Sequence, residues 1–190
     1  MKLVYDKTMI QEIKQRRSIR KYKNKVIDQD LIMDLLESAR LAPSGNNTQP
    51  WQFIVIKDDT IRQQVMEVCN NQIWMMSAPV FIVCLADTRA RMKEERFKVN
   101  ENSAEMDVKR VIRDTSIAVE HIVLEAESMG LGTCWIGWYE QDDVRSVLDI
   151  PETHFVLSIL TVGYPDHSPA AKSRKEMEEI LYFEKWNLSK

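Results

Sequence analysis

Pro43-Ser44-Gly45-Asn46-Asn47-Thr48-Gln49-Pro50-Trp51 is a run of turn formers, small polar residues and prolines that closes on a tryptophan. Gly45 can take a positive φ, and Asn46 and Asn47 tolerate one. Pro50 excludes the α region at Gln49, so the loop is expected to leave in an extended conformation. Before it, Asp28 reads as the N-cap of a helix through Leu41, with Leu31, Ile32, Leu35, Leu36 and Ala39 on one face. After it, Trp51–Lys57 reads as a buried strand. A polar loop between a helix and a strand, dense in amides and hydroxyls, can hold a polar ligand against a rigid scaffold. An ordinary surface loop has the same composition.

Toward the N-terminus, Met9, Ile10 and Ile13 predict a helix from Asp6 to about Arg16, capped by Asp6 or Thr8. It runs into Arg16-Arg17-Ser18-Ile19-Arg20-Lys21-Tyr22-Lys23-Asn24-Lys25, six cations in ten residues with no acid. Such a cluster is either a solvated face, a loose nucleic-acid contact or a phosphate site. Guanidinium groups chelate phosphate oxygens bidentately, and Ser18 can add a hydroxyl donor.

Toward the C-terminus, Asp58-Asp59-Thr60 opens a helix with Ile61, Val65 and Val68 expected inward, and its acids suit the positive helix end. Val80–Leu85, after Pro79, is short and β-branched enough for a central strand. Residues Asp87 to Glu105 alternate in charge through Arg89, Arg91, Lys93, Glu94, Glu95, Arg96 and Lys98, offering little to a core. They predict a lid-like excursion or a plain solvated helix. From Asp107 to Met129, Val108, Val111, Ile112, Val119, Ile122, Val123, Ala126 and Met129 recur at three and four, with Ile117, Ala118 and Leu124 widening the stripe. A helix that apolar belongs in a bundle centre or a subunit interface, and Gly130 can end it.

Gly130-Leu131-Gly132-Thr133-Cys134-Trp135-Ile136-Gly137 carries the glycines of a dinucleotide fingerprint in the wrong context, since a helix precedes it and a strand follows. What is left is a glycine-flanked strand whose backbone could approach a flat ligand at Gly137, or a tight turn into the core. Asp142–Leu148 predicts a short helix stopped by Pro151, and Phe155–Val162 a third buried strand ended by Gly163-Tyr164-Pro165. A second basic cluster, Lys172-Ser173-Arg174-Lys175, precedes the aromatic stretch Ile180-Leu181-Tyr182-Phe183-Glu184-Lys185-Trp186, which needs a surface to bury itself on.

The composition bounds these readings. A chain of 190 residues, 44% hydrophobic and 29% charged, suits one domain spanning 1–190. A net charge of −3 gives no global basic field for nucleic acid. No apolar run has membrane length, and Met1-Lys2-Leu3-Val4-Tyr5-Asp6 lacks a signal-peptide core, so a cytoplasmic protein without membrane contact is expected. Cys69, Cys84 and Cys134, odd in number and set in apolar surroundings, read as buried thiols, and His121, His154 and His167 show no metal-ligand spacing with them.

Taken in order, Arg16-Arg17-Ser18-x-Arg20, Pro43-Ser44-x-x-Asn47-x-Gln49-Pro50-Trp51, the Gly130–Gly137 segment, Gly163-Tyr164-Pro165, Lys172-x-Arg174 and Phe183-Glu184-Lys185-Trp186 resemble the FMN-dependent nitroreductase family nearly from end to end. The resemblance implies an α+β fold with a mixed, mostly antiparallel sheet flanked by helices. It further implies an intertwined homodimer whose C-terminal arm, 164–190, reaches the partner, with FMN sites at the subunit interface. Carried over, Arg16, Arg20, Arg174 and Lys172 would hold the FMN phosphate beside Arg17, and Ser18 would aid phosphate or ribityl contacts. Pro43, Ser44, Gly45 and Asn47 would reach from the partner chain toward the isoalloxazine ring. Trp135, Ile136 and Gly137 would lie along it, offering backbone amides near N5 and O4.

Two departures stand out. Some relatives carry a lysine, poised to stabilise reduced flavin, in the segment matching Asn70-Asn71-Gln72-Ile73, where this chain has no cation; some carry a glutamate where Ile136 stands. The implied activity is a two-step transfer from NADH or NADPH through FMN to a nitroaromatic, quinone or similar small electron-poor acceptor. The cofactor carries the chemistry, so no side chain is expected as acid or base. Cys134 is expected to pack rather than catalyse. Alternatives are a same-fold dehalogenase, a substrate oxidase, a flavin-destroying enzyme, a flavin binder without turnover, or a nucleic-acid binder using Arg16–Lys25.

Overall fold

The computed structural model describes residues 9–92, 98–103 and 105–186. The apolar runs become strands β1 (Trp51–Ile56), β2 (Val80–Asp87), β3 (Gly132–Ile136) and β4 (His154–Gly163), ordered β1-β2-β4-β3 and antiparallel at every pairing. Helices α1 (Gln11–Gln15), α2 (Gln29–Arg40), α3 (Asp59–Val68), α4 (Met106–Ser128), α5 (Gln141–Leu148) and α6 (Met177–Ile180) complete an α+β architecture. The parallel component of the expected mixed sheet is a single bridge, Ser18 to Thr133, on the outer edge of β3.

Both sheet faces are covered. Phe81 and Val83 of β2 pack with Val65 and Met66 of α3 and Val144 of α5. Val80, Ile82 and Cys84 point the other way, into Ile32, Leu35 and Ala39 of α2 and Ala118, Val119 and Ile122 of α4. This is why β2 reads as an unbroken apolar run rather than an alternating one. Between Cys84–Ser158 and Leu85–Val156 the register slips, so β4 carries one extra residue, Leu157.

Three expectations are corrected by this layering. Trp51–Lys57 was expected as a buried strand, but β1 is an edge whose middle residues are exposed or half-buried. On α3 it is Arg62, not Ile61, that turns inward: Ile61 is 38% exposed, while Arg62 is buried and donates to the Ala78 carbonyl and to Asp59. The segment after Asp87 contributes to the core at both ends, since Thr88 and Val99 are fully buried. Lys93, Glu94, Glu95 and Arg96 of the expected excursion, and the Asp6 and Thr8 caps, lie outside the described residues.

Helix ends follow the sequence unevenly. Asp58 caps α3 by accepting from the Ile61 amide at 3.0 Å, whereas Asp28, in the N-cap position of α2, makes no such bond. After α4, Gly130 and Leu131 donate to the Glu127 and Ala126 carbonyls, the paired closing bonds of a Schellman end. On α4 the widened stripe is only partly buried: Ala118 is enclosed but Ile117 is 42% exposed.

The basic segment is stitched to the sheet rather than left in solvent. The Ile19 amide donates to Thr133 O, Lys23 N to Tyr164 O, and Asp166 N to Lys21 O. Ile19 and Tyr22 are buried, and the Tyr22 hydroxyl lies 2.8 Å from Thr161 Oγ1. Gly132 permits this approach: a Cβ there would lie 2.5 Å from Ile19 Cγ1 and 2.9 Å from Pro165 Cγ. Gly132→Ala is therefore expected to destabilise by about 1–3 kcal/mol, the cost of overpacking a filled site. Urea unfolding checks it, and an unchanged midpoint would show that the segment yields freely.

Candidate functional site

Arg16, Arg17, Ser18 and Arg20 follow α1 in a segment that the Ser18–Thr133 bridge and the Ile19 amide fix to β3. Opposite them runs the segment after β4, from Pro169 through Arg174. Together they line a cavity of about 630 Å³. Among the described residues, its cations are Lys14, Arg16, Arg17, Arg20, Lys172 and Arg174, and its lining includes no Asp or Glu. Like charges gathered around one cavity repel one another, and an anion inside relieves that repulsion.

The six cations are not equivalent. Arg17 folds back so that its Nη1 donates to the Lys14, Gln15 and Arg16 carbonyls at 2.8–2.9 Å, closing the end of α1. Arg16 Nε lies 3.2 Å from Glu120 Oε1, an ion pair without hydrogen-bond alignment. Both Nε atoms, of Arg16 and Arg17, are buried without a hydrogen-bond partner. Arg174 Nη1 donates only within its own segment, to Lys172 O and Ser173 O, and is exposed. Arg20 lies farther along, its guanidinium 5.7 Å from the Trp74 ring centroid.

Ser18 and Arg20 also lie against Cys134 of β3. Burial pushes the Cys134 thiol above its ordinary pKa, against the opposing pull of Arg20 and Ser18. A buried thiol with a raised pKa suits packing better than nucleophilic attack. Burial likewise raises Cys69 and Cys84, each to about 12. His121 lies 3.0 Å from the Ser38 carbonyl and His154 3.1 Å from Gln52 Oε1, structural partners in both cases.

From Ser18 the bridge leads onto Thr133, and four residues of strand, about 13 Å, separate Thr133 from Gly137. Trp135 is 41% exposed, whereas the Ile136 side chain is in the core and leaves only its backbone to a ligand. Around Gly137 the space is open: a Cβ there would meet only Trp135 Nε1, at 4.0 Å. The next residue, Trp138, is 68% exposed and its carbonyl accepts from Asn70 Nδ2 at 2.9 Å. The segment lacking the lysine of some relatives thus buttresses the exit of β3.

The loop that opened the sequence reading stands elsewhere. Pro43, Ser44, Gly45 and Asn47 do not line the basic cavity. Residues Gly45–Asn47 form one 3-10 turn after α2, in which Asn46 and Asn47, not Gly45, take positive φ (56° and 54°). Gln49 also avoids the α region, but with φ 47° rather than the extended backbone expected. Its amide donates to Ser44 Oγ at 2.9 Å, which closes the loop. Lys14 and the Pro169–Ala171 stretch were missed from sequence. Lys14 falls inside a helix pattern, and the small residues before Lys172 carry no distinguishing signal.

The chain is similar to known proteins over most of its length. The profile of the Nitroreductase family matches residues 13–74 and 63–164. A Methanothermobacter thermautotrophicus protein provisionally named NADH dehydrogenase/NAD(P)H nitroreductase is 31% identical over 94% of this chain and 87% of its own. The Bacillus subtilis FMN reductase [NAD(P)H] is 30% identical over 93% of this chain and 73% of its own. Among solved structures, an FMN-dependent nitroreductase of Clostridium difficile superposes with a TM-score of 0.77 at 29% identity, over 94% of this chain and all of the other.

Proposed function

The chain belongs to the nitroreductase family, and from that premise we propose that it is an FMN-dependent oxidoreductase reduced by NADH or NADPH that reduces a nitroaromatic, quinone or similar electron-poor acceptor. One observation carries the cofactor assignment: two basic segments far apart in the chain converge on one cavity whose lining, among the described residues, has no carboxylate. The donor set fits a phosphate monoester, with buried guanidinium nitrogens on Arg16 and Arg17 that make no hydrogen bond.

When bound, FMN supplies hydride acceptance from the nicotinamide and electron delivery to the acceptor. The chain's own residues bind and orient. Arg16, Arg20, Lys172 and Arg174 hold the phosphate, with Lys14 and Arg17 adding field at the rim. Ser18, fixed against β3, directs the ligand along the strand toward Gly137. There the missing side chain and the exposed Trp135 leave a flat surface for a ring, with the backbone of Ile136 and Gly137 beside it. We assign no side chain to proton transfer.

The second half of the ring site comes from Pro43, Ser44, Gly45 and Asn47 of a partner copy in a homodimer. Their separation from the basic cavity within one chain supports that reading. So do exposed apolar side chains at Met33, Leu41, Ile117, Phe183 and Trp186. A strong test is the visible spectrum of the purified protein before and after anaerobic NADH or NADPH. A flavin spectrum bleached by either nucleotide is expected. Flavin that stays oxidised with both would exclude the nicotinamide half-reaction, and a protein that takes up no added FMN would exclude the cofactor.

A further inference from the structure

Gly45 is held by both of its peptide groups. Its amide donates to Asp114 Oδ2 at 3.2 Å, and its carbonyl accepts from Arg91 Nη2 at 2.7 Å. The same two side chains pair with each other at 3.2 Å, with only 12% and 14% of their surfaces exposed. A Cβ on Gly45 would lie 2.3 Å from Arg91 Nη2, so the clamp requires glycine here. Asp114 comes from the middle of α4, between buried Val111 and Thr115. Arg91 is anchored through its amide to the carbonyl of Thr88, which is itself buried and donates through its hydroxyl to Thr153 O at 2.8 Å.

The loop needs such a hold. Asn46, Asn47 and Gln49 all have positive φ; at Gln49 this costs on the order of 1–2 kcal/mol, and at the two asparagines less. A loop with that intrinsic preference for other conformations keeps one shape only if its surroundings over-determine it. We propose that Arg91 and Asp114 are positioning residues that fix the 43–49 loop in its ring-contacting shape, acting through Gly45 and touching no flavin atom themselves. The inference rests on the reading of that loop as a wall of the flavin site. Neither residue belongs to the phosphate cluster, and the two roles separate experimentally. A phosphate ligand acts equally on oxidised and reduced flavin. A wall beside the ring, where charge changes on reduction, acts on them unequally.

The test compares Arg91→Ala and Arg91→Lys with Arg174→Ala. It measures FMN affinity by fluorescence titration and the two-electron midpoint potential of the bound flavin. Arg91→Ala is expected to weaken FMN binding by about tenfold and to shift the potential. A tenfold change in the ratio of oxidised to reduced affinities reads as about 30 mV. Arg91→Lys should restore part of both, and Arg174→Ala should weaken binding with the potential unmoved. Should Arg91→Ala fail to fold, Asp114→Asn gives the same readout, keeping an acceptor for the Gly45 amide while losing the ion pair. An unmoved potential in the folded clamp variants, whatever their melting temperature, overturns the proposal. Wild-type protein that takes up no FMN overturns the underlying reading and this inference with it.

Discussion

Arg16→Ala and Arg174→Ala each weaken FMN binding, by about 1.5–3 kcal/mol, the scale of hydrogen bonds to charged groups. The two should differ. Arg174 is exposed and bonded only within its own segment, so solvent and salt screen it and the lower end is expected. Arg16 is half-buried and lies 3.2 Å from Glu120. Removing it deletes a donor and also leaves an unneutralised carboxylate near the bound phosphate, which places Arg16→Ala at the upper end. Fluorescence titration of the apoprotein at two ionic strengths resolves both points: the Arg174 effect should shrink more with salt. Affinity unchanged in both variants would remove the phosphate from this cavity.

Arg145→Leu is expected to destabilise the fold by about 3 kcal/mol or more, from two or more buried acceptors left unpaired at 1–3 kcal/mol each. Arg145 is only 5% exposed on α5. Its Nη2 donates to the carbonyls of Val99 and of His154, the latter at 2.9 Å, and Nη1 to Asp142 at 3.0 Å. Leucine keeps most of the volume and none of the donors. Against a typical total stability of about 5–15 kcal/mol, the loss should be plain in the urea midpoint. A change below about 1 kcal/mol would mean that water reaches those carbonyls. Because Arg145 also bonds the Val99 carbonyl, the same variant should loosen the packing of Val99.

Much of the fold was legible because hydrophobic period is a local property. Val80–Leu85, Phe155–Val162 and the long stripe of α4 needed only their own residues to be read, and each appears within a few positions of where it was expected. What failed depended on neighbours. Whether Trp51–Ile56 is central or an edge is decided by strand order, which no run of residues encodes. The inward turn of Arg62 was hidden because a guanidinium that finds the Ala78 carbonyl can take a place that period alone gives to Ile61. In the site, the two basic clusters were readable as candidates from charge alone. That they meet depends on the fold, which brings residues 16–20 and 169–174 around one cavity. The Arg91–Asp114 hold on Gly45 left no trace, since one arginine among alternating charges and one aspartate on a long helix look like ordinary surface residues.

The stitching of residues 16–25 onto β3 and onto the chain beyond β4 has a kinetic side. β2 pairs with a strand far along the chain, from Asp87 with His154 to Val80 with Val162, and the basic cavity closes only when residues 14–20 and 169–174 have met. Contacts so distant in sequence form late, after their loop-closure entropy has been met. The cavity is thus among the last parts to be completed and among the first to open. A cofactor held there recognises the finished fold, and at a free concentration of 100 times its Kd would favour that fold by about 2.7 kcal/mol. Cofactor supply would then govern how long each folded molecule survives, as well as whether it turns over.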